Sequence, residues 1–361
     1  MVINKSYSIV NHYYKDCHIY INMMHIKSAL SAILLTSVIV FLIIMSPAAK
    51  EGALNGIQLC EGIIIPSLLP ILIITNIILK SRAADVFEKL FGRLFEAVLR
   101  LPKSAVIPIL FGLVSGYPAG AVLTAEQYRA GAITSDEARR IMHFNMCGGA
   151  AFIVSAVGGF YGSAKIGFAL YIINILSSVI IAFASAPFCK KAERKARSGS
   201  ALSFSSALCT AAESSSKSVI LMSAYIILFA AIMKVLPLPD ALYPLFEITG
   251  GIFGGEKIPL PYCAFFLQFG GLCIHFQLIG LLGEMKIKYI DFLVFRVLSA
   301  IISFVICKGY IALFPDSVQV FYNTNEAMSF QFTETGTAFG ILAMLGCGAL
   351  VLDIENRKIK L

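Results

Sequence analysis

An apolar run from Ala105 to Leu123 is interrupted in its middle by Ser115-Gly116-Tyr117-Pro118-Ala119-Gly120. Pro118 brings no N–H, and Gly116 and Gly120 loosen the backbone, so an unbroken helix is not expected here. At membrane depth, broken backbone survives only where protein or water satisfies its polar groups. The half-helix ends made by such a break suit a polar or charged solute. A plain proline kink in a packing helix is the competing reading.

A second stretch, Phe266 to Leu278 (FLQFGGLCIHFQL), has the same layout of apolar flank, Gly-Gly break and polar tail, 155 positions further on. Upstream, ILIITNIIL from Ile71 and YIILFAAIM from Tyr225 agree at a similar offset, 154. Two interrupted apolar segments in corresponding halves are a pointer to a transporter binding site.

Composition sets the solvent of the fold. Of 361 residues, 58% are hydrophobic and 14% charged, and mean hydropathy is +0.82. Soluble domains carry about 25% charged residues, so the chain reads as an all-α polytopic membrane protein. Its nine Cys form no C-x-x-C pair, and no cofactor, metal site or disulfide framework is expected. The net charge of +8 sits mostly in short loops and tails. That points to topology and anionic membrane lipid, and away from nucleic acid.

In chain order, residues 1–28 read as an N-terminal extension in which Met23 or Met24 is an alternative start. A first span is expected at Ala29–Met45, closed by Ser46-Pro47, and a second at Ile57–Leu79 with Glu61, Pro66 and Pro70 inside it. Residues 80–103 interleave six Lys or Arg with apolar residues at helical spacing. They predict a basic amphipathic helix on the cytoplasmic face. Arg129, Arg139 and Arg140 also suggest the cytoplasm, so with basic flanks on both sides the Phe111–Leu123 segment is expected to be re-entrant. Ile141–Phe160 carries His143, Asn145 and a Gly pair, and Ile166–Pro187 reads as an ordinary span. The expected organisation is 29–187 as a first membrane half, 188–217 as a basic, Ser-rich cytoplasmic linker and 218–361 as a second half, with about seven to nine membrane elements in all. The halves are expected to be related, with inverted topology. A loop at Pro237–Pro261 holds Glu247 in LFEITGG, read either as a dip towards the membrane or as a solvent loop. Ala264–Leu282 stays open between crossing and re-entrant. Tyr289–Cys307 is a span with Arg296 inside it, suspect by default or paired with Asp291 or lipid. A last short span is expected at Thr337–Leu352.

The stretch FGLVSGYPAGAVLTAEQYRAGAITSDEARRI, with the upstream GIQLCEGIIIPSLLPILIITNII and the downstream LFEITGG and FLQFGGLCIHFQ, resembles the YlbJ-like sporulation integral membrane proteins. These belong with the nucleoside-recognition (Gate-domain) membrane proteins. The resemblance covers roughly Ile57 to Cys307. It implies an endospore-forming bacterium and a role in the mother-cell-derived membrane around the forespore. For one branch it implies passage of dipicolinic acid towards the spore.

The expected activity is transport, with no enzyme chemistry: no H-E-x-x-H, paired-Asp or Ser/His motif in context is present. The solute is expected near the midplane, against Ser115, Gly116, Tyr117, Pro118, Gly120, Asn145, Gly270, Gly271, His275 and Gln277. Backbone N–H groups at half-helix ends suit carboxylates, and Tyr117 suits an aromatic ring. Glu61 and Glu247 are the coupling candidates. A nucleoside-type solute and a non-transporting structural protein of spore formation remain as alternatives. A homo-oligomer or a partner subunit is also left open.

Overall fold

The computed structural model describes residues 28–30, 32–186, 203–236, 239–254 and 257–314. The expected extension, the basic part of the linker and the expected last span fall outside them. Among the described residues every regular element is helical. Five helices among the described residues are long and apolar enough to cross a membrane, or six if one bent pair counts as a span.

An apolar helix at Ser28–Ile44 precedes the first long one, α1 (Ser46–Lys80). The expected link after Pro47 is helical instead. Pro47 sits in the first turn, where a missing N–H costs nothing, and so starts α1. Pro66 follows a π turn at Cys60–Ile64. The linker also proves shorter than expected, because α8 (Phe204–Val235) begins at a Ser203 cap and takes in the Ser-rich stretch. Two of those small side chains face α1: Asn76 Nδ2 donates to Ser215 Oγ at 3.0 Å and Lys80 Nζ to Ser214 Oγ at 3.1 Å.

After α1 comes α2 (Ala83–Leu99), and the chain then bends by 104° into the segment Lys103–Ser115, whose α-helical part is α3 (Val106–Ser115). Beyond the break lies α4 (Ala119–Arg129), packed back against α3 as a hairpin. A full capping box at Thr134, reciprocated by Glu137, starts α5 (Ser135–Phe144). The chain opens over residues 145–149 and re-forms as α6 (Ala151–Phe160), largely a π-helix. α7 (Ala164–Ala184) returns alongside it.

The second half opens with α8. Two short helices follow, α9 (Tyr243–Phe246) and α10 (Ile248–Phe253), folded on each other as a small hairpin with Glu247 at the turn. Then come α11 (Leu260–Phe269), α12 (Gly271–Glu284) and α13 (Tyr289–Leu313). α11 and α12 run on as one 25-residue segment broken at Gly270. That resolves the open choice in favour of a crossing.

Contacts between the halves identify the ends of the bundle. Arg129 Nη2 pairs with Glu284 Oε2 at 2.7 Å, and Ser135 Oγ donates to the Met285 carbonyl at 2.6 Å. The tip of α1, α2, both feet of the α3–α4 hairpin and the α12–α13 turn therefore share the basic end. At the far end, Tyr161 OH donates to the Ile258 carbonyl. The first hairpin thus enters from the basic end, as the charge pattern predicts. The second, α9–α10, lies between two segments joined at the opposite end. Each half pairs a hairpin with a broken helix in opposite sense. By topology the counterpart of the break at 116–118 is the turn at Glu247, and that of Gly270 is the opening at 145–149. The sequence offset had paired 116–118 with Gly270 instead.

Candidate functional site

The tip of the first hairpin is seated in the opening between α5 and α6. Tyr117 N–H donates to the Cys147 carbonyl at 2.9 Å, across a cis Tyr117-Pro118 peptide. Gly116 has φ +80°, and a Cβ built on it would lie 2.1 Å from Gly149 N. A Cβ on Gly149 would lie 2.3 Å from the Ser115 carbonyl oxygen. The two stretches touch backbone to backbone, which only glycine allows.

Asn145 fastens this joint. Its side chain lies between the hairpin arms, where Cβ atoms at Gly112 or Gly120 would collide with it or its carbonyl at 2.4 and 2.6 Å. Asn145 Nδ2 donates to the Pro108 carbonyl at 2.6 Å. The side chain expected to touch solute is engaged in holding the hairpin.

The second hairpin meets the second break in a related way. A Cβ on Gly271 would approach the Pro244 oxygen at 3.1 Å and Ile248 N at 3.3 Å. Glu247, 1% exposed, caps α10: its carboxylate accepts from Thr249 N–H at 2.9 Å and from Gly250 N–H. The reading of this loop as a solvent loop is thereby corrected. Tyr117 bridges the halves, its ring 3.7 Å from the Cβ position of Gly270.

Between the two tips lies a cavity of about 30 Å³. Ser67, Ser115, Tyr117, Glu247 and Thr249 line its polar side, and Leu68, Met222, Ile226 and Ile274 its apolar side. Ser115 Oγ and Tyr117 OH are buried with no hydrogen-bond partner among the described residues. A hydroxyl both donates and accepts, so these two can hold a small polar guest. The volume suits about one water molecule, so this conformation is closed to a larger solute.

Arg296 on α13 stands beneath both breaks, 1% exposed. Nη1 donates to the Met146 carbonyl and, at 3.3 Å, to the Gln268 carbonyl; Nη2 donates to the His143 carbonyl at 2.5 Å. The His143 and Gln268 carbonyls lie at the ends of α5 and α11, where helix dipoles are negative, and Met146 lies in the opening just beyond α5. Asp291, the partner weighed from sequence, instead accepts from His143 Nε2 at 2.7 Å.

Of the sequence-predicted residues, Ser115, Tyr117 and Glu247 line the cavity, while Gly116, Pro118, Gly120, Asn145, Gly270 and Gly271 form the joints around it. His275 does not face it; its neighbour Ile274 does. His275 Nε2 donates to the Phe269 carbonyl at 3.1 Å, which leaves Nδ1 to accept from Tyr289 OH at 3.0 Å. Gln277 Nε2 donates to Cys273 Sγ at 3.4 Å. Glu61 lies on the exposed outer face of the π turn, apart from the cavity. Thr249 and Gly149 were not singled out as site residues. Their signal was a Gly pair beside each polar residue, at Asn145 and at Glu247. Among the described residues no three His, Cys, Asp or Glu come together as a metal would require.

Fold and site define a class: an integral membrane protein built from paired hairpins and broken helices. Residues 63–188 match the Gate family model, described as nucleoside recognition. They run from the second part of α1 past the end of α7, and so include the first hairpin and the first break. The chain is also 25% identical over 331 residues to the sporulation integral membrane protein YlbJ of Bacillus subtilis (strain 168), covering 76% of this chain and 81% of that protein. No solved structure matches. The chain is thus similar to a sporulation membrane protein over most of its length and carries a Gate match over its first membrane half.

Proposed function

We propose that this protein carries a small polar organic solute across a membrane, binding it between the two hairpin tips. The observation that supports this is the pair of hydroxyls, Ser115 Oγ and Tyr117 OH, unpartnered among the described residues, on two residues that line a cavity between the hairpin tips. Such hydroxyls are unsatisfied until a guest arrives. No chemical conversion is part of the reading.

The solute we assign first is dipicolinic acid, in a membrane around the forespore. It rests on the sporulation protein to which the chain is similar. An aromatic dicarboxylate would take hydrogen bonds from Ser115 and Tyr117. No Lys or Arg lines the cavity, so Glu247 would have to carry a proton for a second carboxylate to approach. Proton coupling through Glu247 follows. A nucleoside is the second reading, favoured by the same lining: hydroxyls and one carboxylate suit a neutral sugar-base solute, and the matching family is described as nucleoside recognition.

The test is uptake of labelled dipicolinate into liposomes holding the purified protein, with unlabelled nucleosides as competitors and a pH gradient of either sign. Saturable uptake that withstands nucleosides supports the first solute, and uptake abolished by them supports the second. No uptake of either by folded protein rejects transport by this chain alone.

A further inference from the structure

We propose that α2 is an anionic-phospholipid site, lying in the plane of the bilayer surface and reading its headgroup charge. Helical spacing divides α2 into three rows. Phe87, Phe91 and Phe95 face the protein, and Phe87 meets Phe111 of α3 edge to face at 5.3 Å. The next row, four residues apart at each step, is Val86, Leu90, Leu94 and Val98, exposed by 64, 69, 58 and 42%. Beside it run Arg82, Lys89 and Arg93, also exposed.

A water-facing row of four large apolar side chains is unfavourable, and adjoining cations would not relieve it. At a membrane surface the same face is satisfied: the apolar row enters the acyl boundary and the cations reach back to phosphates. Geometry places α2 there. It sits at the basic end of the bundle and turns by 104° into the hairpin segment that enters the membrane. Arg82, Lys89 and Arg93 outnumber the one exposed acid of α2, Asp85, and this net positive edge favours an anionic headgroup over a zwitterionic one.

The chain has no Trp, so Leu90→Trp gives a single fluorophore on the apolar row. Leu94→Trp repeats the measurement at a second exposed position. Each full-length variant is reconstituted with brominated phosphatidylglycerol or brominated phosphatidylcholine at equal mole fraction. The expected result is quenching stronger by at least about twofold with phosphatidylglycerol. That preference should shrink as salt rises from about 0.05 M to about 0.5 M, and disappear in Lys89→Gln/Arg93→Gln. Equal quenching by the two lipids overturns the anionic assignment. Indole open to acrylamide overturns membrane contact. Indole reached by neither quencher means another protein surface covers α2, and overturns the proposal. None of these outcomes depends on whether a solute is transported.

Discussion

Replacing Gly116 by alanine tests the seat of the first hairpin. Two costs are involved. The backbone at φ +80°, ψ −169° is a conformation that L residues rarely hold, worth about 1–3 kcal/mol. The added methyl would also lie 2.1 Å from Gly149 N, a backbone atom with nowhere cheap to go, and such overpacking costs about 1–3 kcal/mol. Together they give a loss of roughly 2–6 kcal/mol. Gly131→Ala is the control: it has φ +67° with nothing within 4 Å of the new methyl. It carries backbone strain alone, about 1–2 kcal/mol. Unfolding is read with a thiol-reactive fluorogenic dye, because Cys147, Cys263, Cys273 and Cys307 are buried and free. At a few degrees per kcal/mol, the melting midpoint should fall on the order of 10 °C for Gly116→Ala and about 3 °C for the control. If the two variants melt together, the tip is not seated against Gly149, and the joint described above is wrong.

Other outcomes follow from the same structure. Arg296→Met should cost about 3–5 kcal/mol in the same melt, since it strands three buried carbonyls, and Arg296→Lys should recover only part of that. Tyr117→Phe removes a hydroxyl with no partner, so it should leave the melt within about 1 kcal/mol of the parent while impairing uptake; equal uptake would remove Tyr117 from the solute's contacts. Burial pushes the Glu126 carboxyl up, with Lys80 at 3.5 Å opposing. The folded state therefore holds that proton more tightly than the unfolded one. Its contribution to stability is present at acid pH and is lost as pH rises through the folded value. Glu126→Gln should flatten the dependence of the melting midpoint on pH above the ordinary carboxylate value of 4.5; an unchanged slope would refute the assignment.

The first hairpin was legible because two independent signals coincided: a Gly-Pro-Gly break, and basic residues on both flanks. The second break carried only one. In a membrane, apolar length is the same for a crossing and for a hairpin, so FLQFGG could not be oriented until packing decided it. The α9–α10 hairpin was legible only as a loop with turn glycines, because its helices are too short to show a period. His275 lies one step of the helix away from Ile274, which lines the cavity. A residue beside a break is about 100° away from its neighbour, and sequence does not say which of the two looks inward. Asn145 was rightly marked as unusual. A buried amide in an apolar segment announces a hydrogen bond without naming the partner, and here the partner is the Pro108 carbonyl.

Arg296 has one more consequence. Its counter-charge is drawn from the ends of two helices, each worth about half a negative charge, rather than from a carboxylate. Backbone carbonyls do not titrate, and a guanidinium keeps its proton. The contact that Arg296 makes between the first half and the second is therefore indifferent to acidity.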